Sequence, residues 1–570
     1  MPKLTWIGKD AVEKHHQDVP THLLEPIPEL SCGDSDSGNL IVQGDNLIAL
    51  KALLPRYAGK VKCIYIDPPY NTGNEGWAYN DNVSSPEIKK WLGKVVGAEA
   101  EDLSRHDKWL CMMYPRLVLL KQFLREDGLM CIQIDDNEFA NLFSICIEIY
   151  GESNLKVICV KMSEPSGLKM GTVKRLGTIP KLKEYIIICG KNGVKGLDIE
   201  RIPKGNWDKE YNIFLDGLSK EDRDLITQIS EQEEISLEDI ELLDEIGARI
   251  TLCSLADKVK ELGLKENKKE KWLFNNAWRI CQCATSASVL VLAKEKRKKN
   301  NNEVFFVKSA RGMAYMVRGT FSETSTKPRV QLIFADDNLT VHAGDLWSDL
   351  KTTGLDGEGG VDFKNGKKPE ALVSRIIRMC TKQDDLVLDS FLGSGTTAAV
   401  AHKMNRRYVG IEMGEQAQTH CRIRLKKVIE GEQGGISNDF NWIGGGGFQF
   451  CRLSTEPLFA ADGEVRADVT FAQLASYVWF NETKMGYEGT GDSPLLSVFE
   501  GRAIYLLYNG ILKDKKPEGG NILTRAVFNS LPPFEGQKVI YAAAYQGGVN
   551  WIKKEQIIFK QTPYALETKI

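Results

Sequence analysis

The chain lacks the marks of several protein classes. Its 13 cysteines include no CxxC pair, and Cys281-Gln282-Cys283 is the closest spacing. The seven histidines form no HExxH and no Cys/His ligand spacing, so no structural zinc or other metal is expected. No glycine-rich loop runs into Lys-Ser or Lys-Thr, which argues against ATP-driven translocation. No segment approaches the length of apolar sequence needed to span a bilayer, and the start MPKLTWIGKD has no apolar signal core. With scattered thiols, this points to the reducing cytoplasm. A net charge of −3 gives no global attraction to nucleic acid, so any such binding must rest on a local basic surface.

What is present is ordinary for a globular protein: 42% apolar and 26% charged residues over 570 positions. That length allows roughly two to four domains. Residues 1–36 are polar, with prolines and the cluster SCGDSDSG, and are expected to form an arm. From Asn39 the texture changes to short apolar runs rich in β-branched residues: NLIVQG, VKCIYI, LMCIQI, LKVICV and KEYIIIC. Trp109 to Arg125 carries Trp109, Met113, Leu117, Leu120 and Leu124 at helical spacing, with Pro115 expected to start or kink the helix. Strands that are apolar on both faces and alternate with helices predict an α/β fold with a largely parallel sheet, whose first half spans 37–194. The segment 195–345 differs. It holds the acidic piece SEQEEISLEDIELLDEI, two basic runs and short alternating segments such as EVFFVK and RVQLIF, and is expected to be an inserted α+β domain. The α/β texture returns over 346–435, and 436–570 is expected to be a small C-terminal domain containing β-strands such as GRAIYLLY and KVIYAAAY.

Two motifs carry chemistry. In IDPPYNTGNEGW, an apolar strand stops at Asp67-Pro68-Pro69-Tyr70 because prolines lack the amide hydrogen that a ladder needs. A carboxylate, a rigid backbone and an aromatic ring thus meet at a strand's carboxyl end, where open α/β sheets bind ligands. The second motif, LVLDSFLGSGTTAAV, reads as a strand, a tight turn at Gly393 and Gly395, and a helix opening on small residues. Glu412 ends a further strand, RYVGIE, 23 residues after Asp389, an offset that suits the hydroxyls of a ribose. The turn alone is an ordinary strand-to-helix connection. With Glu412 it points to nucleoside binding, which leaves open an NAD-type cofactor and a dinucleotide-dependent oxidoreductase. Asp67-Pro68-Pro69-Tyr70 adds a reason to look elsewhere. The amino nitrogen of a nucleobase is a poor nucleophile because its lone pair is delocalised. A carboxylate and a backbone carbonyl can accept its two N–H bonds and aim the lone pair outwards, while an aromatic ring stacks on the base.

These motifs together resemble the amino-methylating DNA methyltransferases of the β class, in which the catalytic motif precedes a variable region and then the cofactor motif. The longer string DPPYNTGNEGWAYND, preceded by GDNLIALKALL, resembles the modification (Mod) subunits of type III restriction–modification systems. The resemblance covers about residues 38–190 and 340–450. It implies a circularly permuted Rossmann-like methyltransferase sheet with an inserted α+β target-recognition domain, and S-adenosylmethionine as cofactor. Position by position, it implies that Asp67 and the Pro68 carbonyl, in the rigid Pro68-Pro69 pair, hold the target amino group and that Tyr70 stacks on a flipped base. Asp389, Phe391, Gly393, Gly395 and the adjoining Thr396 would line the cofactor pocket, with Glu412 on the ribose and Asp45 of the GDN element near the adenine. Lys368-Pro369 would pack on the cofactor's amino-acid end, and Tyr185 would help hold the base. On their own, Asp45 reads as a turn acid and Tyr185 as a core residue. C5 methylation needs a Pro-Cys nucleophile, and no cysteine here follows a proline. An aspartate at the head of the motif resembles the adenine-N6 enzymes, whereas the cytosine-N4 enzymes more often have serine there.

In this family the insertion carries target recognition. The runs Lys268-Lys269-Glu270-Lys271 and Lys294-Glu295-Lys296-Arg297-Lys298-Lys299 offer phosphate contacts, or else form a solvated charged face. The resemblance further implies double-stranded DNA as partner, a homodimer, a separate restriction (Res) subunit for cleavage, and association with the nucleoid through DNA. An orphan enzyme, an RNA substrate and a catalytically silent DNA-binding protein are the competing expectations.

Overall fold

The computed structural model describes residues 3–34, 36–72, 104–164, 169–232, 235–322, 325, 327–352, 358–361, 363, 366–509, 511 and 520–566. The part of DPPYNTGNEGWAYND beyond Thr72 therefore lies outside the described residues, as do positions 233 and 234 of the acidic piece. The chain divides into two compact units, Met1–Asp198 with Gly344–Ile570, and Ile199–Ala343.

The first unit is built on an 11-stranded sheet. At its centre, Leu40–Gln43, Arg407–Glu412, Leu386–Asp389, Val61–Ile66 and Leu124–Ile134 lie side by side and parallel. Each core run is buried on both faces, as a parallel sheet covered by helices requires. Ile64 and Ile66 pack with Leu50, Leu54, Leu117 and Leu120 from the helices Asn46–Tyr57 and Arg105–Phe123. Cys63, whose side chain alternates to the other face, meets Cys131 and Cys380, the last residue of the helix Glu370–Cys380. The three thiols are buried, their sulfurs lying within 4.8 Å of one another.

The main sheet is largely parallel, as expected, with a reversed member: Lys183–Gly190 runs antiparallel to both Leu124–Ile134 and Leu155–Lys161. Its reversed direction brings its first residues beside the last residues of 124–134, with Tyr185 opposite Ile134. Residues 1–36 are not a loose arm, because His22–Pro26 pairs with Gly447–Pro457 and Trp6, Val12 and Val19 enter the core. Nor does the C-terminal region stand apart from its start: Gly447–Pro457 lies parallel to Leu40–Gln43 and extends the main sheet. Only beyond it does a separate four-stranded sheet form, with strand order Leu495–Phe499, Arg502–Leu506, Lys538–Ala542 and Ile557–Gln561. The helix expected from Trp109 begins at Arg105. Ser104 and Asp107 form a capping box that starts it, and Pro115 lies inside it.

The second unit, Ile199–Ala343, carries a six-stranded antiparallel sheet and the helices Lys220–Ser230, Leu237–Ala248 and Ala287–Arg297. In the acidic helix Leu237–Ala248, Ile240, Leu243 and Ile246 are buried while Glu238, Glu241 and Glu245 are exposed, the amphipathic arrangement of a surface helix. Part of the basic run 294–299 serves this unit's own packing. Lys296 pairs with Asp244 and donates to the Phe306 carbonyl, Arg297 donates to the Phe321 carbonyl at 2.7 Å, and Lys298 pairs with Glu295 at 2.8 Å.

Back in the first unit, a buried charge cluster braces the glycine turn. Glu370 accepts from Arg424 at 2.6 Å and Lys403 at 2.9 Å, all three side chains being fully buried. Burial pushes the Glu370 carboxyl up, but the Arg424 and Lys403 charges outweigh it and hold the group below its ordinary value. Arg424 also donates to the Thr396 hydroxyl at 2.7 Å, tying the cluster to the first residue of the helix Thr396–Lys403. Removing one member of a buried ion cluster strands the others without compensation. Glu370→Ala is expected to cost about 3–5 kcal/mol, read as a fall in the urea unfolding midpoint.

Candidate active site

The site forms where parallel strands end. Val387 pairs with Cys63 and Leu388 with Ile64, so the residues that follow, Asp389 and Asp67, emerge at the same edge of the sheet. On the other side of Asp389, Leu386–Asp389 runs alongside Arg407–Glu412, which brings Glu412 to that edge as well.

After Asp389 the chain makes the predicted turn. Gly393 and Gly395 have φ of 55° and 80°, the left-handed region that costs a side-chain-bearing residue energy. At Gly395 a Cβ would lie 3.1 Å from the Cα of Cys421, a tight approach that the neighbouring backbone would have to yield to. The Gly393 amide donates to Glu412 Oε2 at 2.8 Å and the Gly414 amide to Oε1 at 3.2 Å, which aim the carboxylate across the turn. Asp389 accepts from the Phe391 amide at 2.9 Å and from the Thr397 hydroxyl at 2.6 Å. Burial pushes its carboxyl up to about 7, against those two hydrogen bonds and helped by the nearby charges of Asp67 and Glu412. The Ser390 hydroxyl beside it is buried with no hydrogen-bond partner among the described residues. Thr396 faces the Arg424 cluster and the Ser394 hydroxyl.

At the neighbouring strand end, Asp67 Oδ2 pairs with the Lys368 ammonium at 2.7 Å, while Oδ1 is buried without a hydrogen-bond partner among the described residues. Burial raises the Asp67 carboxyl above its ordinary value; Lys368 opposes this rise and Glu184 adds to it. Lys368 Nζ also lies 4.8 Å from the centre of the Tyr70 ring. Tyr70 donates its hydroxyl to Glu184 at 2.7 Å, Gln133 donates to the same oxygen at 2.5 Å, and Tyr65 donates to Gln133 at 2.6 Å. Trp109 donates to the Pro69 carbonyl at 2.7 Å, which fixes the path of the two prolines.

The structure therefore joins Asp67, Pro69, Tyr70 and Lys368 in one contact set, and Asp389, Phe391, Gly393 and Glu412 in another beside it. Lys368, expected at a cofactor's amino-acid end, here engages Asp67, and Pro369 caps the helix Glu370–Cys380. Asp45 caps the helix Asn46–Tyr57, accepting from Leu47 and Ile48, and pairs with Arg116 at 3.1 Å. Its neighbour Asn46 donates to the Ser390 carbonyl at 2.8 Å, which brings the GDN element against the second set. Tyr185 stacks on Phe139 with ring centres 4.1 Å apart and donates to Asp136, and it bonds with Lys183. It was Glu184, one residue earlier, that sequence reasoning missed. Along a strand, successive side chains point to opposite faces, so the acid reaches Tyr70 while the aromatic turns away. Gln133 and Trp109 were also missed. Both stand in apolar runs, and nothing local distinguishes a polar atom that will bond across the sheet from a core residue.

A strand order of 40–43, 407–412, 386–389, 61–66, 124–134, 183–190 and 155–161, with one antiparallel member and an acid-lined edge, defines a methyltransferase-type α/β sheet. A family model described as DNA methylase, of the N6/N4 type, matches residues 61–422, and the chain belongs to this family. Among curated proteins it is 34% identical over 434 residues to the probable type III restriction-modification enzyme HindVI Mod subunit of Haemophilus influenzae, covering 73% of this chain and 54% of that one. It is 29% identical to the type III EcoPI Mod subunit of Escherichia phage P1, covering 71% of this chain and 62% of that one. The chain thus spans 54% and 62% of the length of these relatives. Against the solved PvuII cytosine-N4-specific DNA methyltransferase, identity is 13% over 68% of this chain and 86% of that one, with a TM-score of 0.32. No helix among the described residues is long and apolar enough to cross a membrane.

A carboxyl whose pKa rises on folding makes the native state bind more protons than the unfolded one. Stability is then lost as pH rises from the ordinary carboxylate range, near 4, to the folded value. For Asp389 that window ends at about 7. Asp389→Asn removes the titrating group, so thermal melts at pH 4 and pH 8 should differ less in the variant than in the wild type. The expected difference is on the order of 3 kcal/mol.

Proposed function

We propose that this chain is a DNA adenine-N6 methyltransferase that uses S-adenosylmethionine and acts as the modification subunit of a type III restriction–modification system. The Oδ1 of Asp67, buried at the end of the DPPY strand without a hydrogen-bond partner among the described residues, is the observation that carries this reading. An acceptor buried without a donor is costly unless a ligand supplies one. An exocyclic amino group does so.

The residues around the glycine turn fit the cofactor. The side-chain-free Gly393 and Gly395, the buried Ser390 hydroxyl, which has no hydrogen-bond partner among the described residues, and the backbone-held Glu412 carboxylate form a cradle of small and acidic groups. Asp389, Phe391, Gly393, Gly395 and Thr396 would hold the methionine and adenosyl parts, Glu412 the ribose hydroxyls, and Asp45 would stand near the adenine. When bound, S-adenosylmethionine supplies a methyl group made electrophilic by its sulfonium.

The chain's own residues do the rest. Asp67 Oδ1 and the Pro68 carbonyl accept the two N–H bonds of the target amino group, turning its lone pair towards the donor side. A hydrogen bond to a charged acceptor is worth about 1.5–3 kcal/mol, and it strengthens as the nitrogen gains positive charge. Tyr70, held by Glu184, stacks on the base, which contributes about 1–3 kcal/mol. These terms match the few kcal/mol needed to unstack a base from a duplex. Asp67, pushed up by burial, is a stronger base than an ordinary carboxylate and can hold the proton that the methylated nitrogen sheds.

The aspartate heading the motif favours adenine over cytosine, and the similarity to type III Mod subunits supports a type III system. On this reading the chain's partners are duplex DNA, a second copy of itself and a Res subunit, in the cytoplasm. Asp67→Ala should lower methyl transfer to unmodified genomic DNA by at least about a hundredfold while the cofactor thermal shift persists. Gly395→Asp should abolish that shift. Loss of DNA affinity alone in both variants would overturn these roles. Mapping N6-methyladenine in cells with and without the protein decides between adenine and cytosine.

For DNA contact, the engaged residues of 294–299 leave the exposed Lys294 and Lys299 with no ion pair among the described residues. Replacing both by Ala should weaken DNA binding and reduce the slope of log affinity against log salt by about 0.9 per lost phosphate contact. An unchanged slope removes the run 294–299 from the interface.

A further inference from the structure

Lys368 occupies an unexpected place. Its ammonium donates to Asp67 at 2.7 Å, lies over the Tyr70 ring at 4.8 Å and stands 3.9 Å from Glu184. A base stacked on the same face of the Tyr70 ring would take the ammonium's place over that ring while its amino group donates to Asp67 Oδ1. The ammonium is held there by the negative face of the ring and by the Asp67 carboxylate. Both cannot occupy that space at full contact.

Some such cation is needed in the free protein. Asp67 is faced by Lys368, Glu184, Tyr70, Tyr65 and Asp389. Of these, Lys368 alone carries positive charge. Without it, three acids would crowd one low-dielectric edge of the sheet, and like charges at such separations favour protonation of one of them. Protonated, Asp67 would be a poor acceptor for a target amino group. Glu184 offers the ammonium a second anchor, since the oxygen that receives Tyr70 and Gln133 is the one 3.9 Å from Lys368.

On the reading of the site given above, we propose that Lys368 is the resident cation of the target-base position. It keeps Asp67 ionised and Tyr70 covered until an extruded base displaces it, whereupon it moves onto Glu184. It is a positioning residue that leaves Asp67 before the reaction rather than one that acts on the reacting atoms.

The pair is first read in the free protein, by thermal melts of Lys368→Met, Asp67→Asn and the double variant. The melting-temperature loss caused by Lys368→Met should largely vanish in the Asp67→Asn background, and a loss of equal size in both backgrounds would show that the ion pair does not exist in solution. The second measurement is the pH dependence of methyl transfer to unmodified genomic DNA at saturating S-adenosylmethionine. The kcat/KM profile reports groups of the enzyme before DNA binds, and kcat those of the complex. In Lys368→Met the acid limb of kcat/KM should move up by about one unit or more, Lys368→Arg should restore it, and the acid limb of kcat should stay in place. If both limbs move together, Lys368 remains on Asp67 during catalysis and the displacement is wrong. If neither moves, the lysine does not hold Asp67 once the cofactor is bound, which also overturns the proposal. Should Lys368→Met fail to fold, Lys368→Gln carries the same comparison. A wild type that transfers no methyl group while the melts still report the pair would instead overturn the methyltransferase assignment.

Discussion

The pairing of Val387 with Cys63 and Leu388 with Ile64 is the constraint on which the rest depends. It joins two short strands from distant parts of the chain in parallel, so that both end at one edge with an acid just beyond or at the last rung. A slip of one residue would turn Asp389 to the opposite face and pull Asp67 away from it. Register here is strongly specified because both faces are buried: Ile64, Val387 and Leu388 have no exposed surface to gain by shifting. Parallel pairing supplies direction, burial supplies register, and together they bring the two motifs next to each other.

That placement creates an electrostatic problem which shapes the site. Asp67, Asp389 and Glu412 meet at an edge with little water, and each responds differently. Glu412 is held by two backbone amides, Asp67 by a lysine, and Asp389, with only an amide and a hydroxyl, is pushed up to about 7. A little further in, Glu370 meets the same difficulty by pairing with both Arg424 and Lys403. The glycine turn is thus supported from below by a closed ion cluster and opens above onto acids that are only partly compensated. Such incomplete satisfaction is uncommon in a core and common where a ligand completes the set.

The order of elements along the chain adds a second feature. The strand carrying Asp67 precedes the strand carrying Asp389 in sequence but lies beside it in space, and the unit Ile199–Ala343 is inserted between them. Its own antiparallel sheet and separate hydrophobic core mean that its sequence can change without touching the register on which the chemistry depends.

Strand identity was written locally. VKCIYI, LVLD and RYVGIE are short, largely apolar runs containing β-branched residues, and each forms a strand where its composition says it should. The positive φ at Gly393 and Gly395 follows from residue type, and the stop at Asp67 follows from two prolines, because these are short-range steric facts. What sequence could not decide was anything requiring two distant segments to meet. The reversal of Lys183–Gly190, the recruitment of His22–Pro26 and Gly447–Pro457 to the main sheet, and the choice of Glu184 as Tyr70's partner all depend on which edge remains free after the core has packed. The same holds for Lys368, which alone would be a surface charge and becomes the counter-ion of Asp67 only because the turn ahead of its helix ends beside that strand. Local sterics and hydrophobic pattern are properties of the chain; polar pairing across the sheet is a property of the packed molecule.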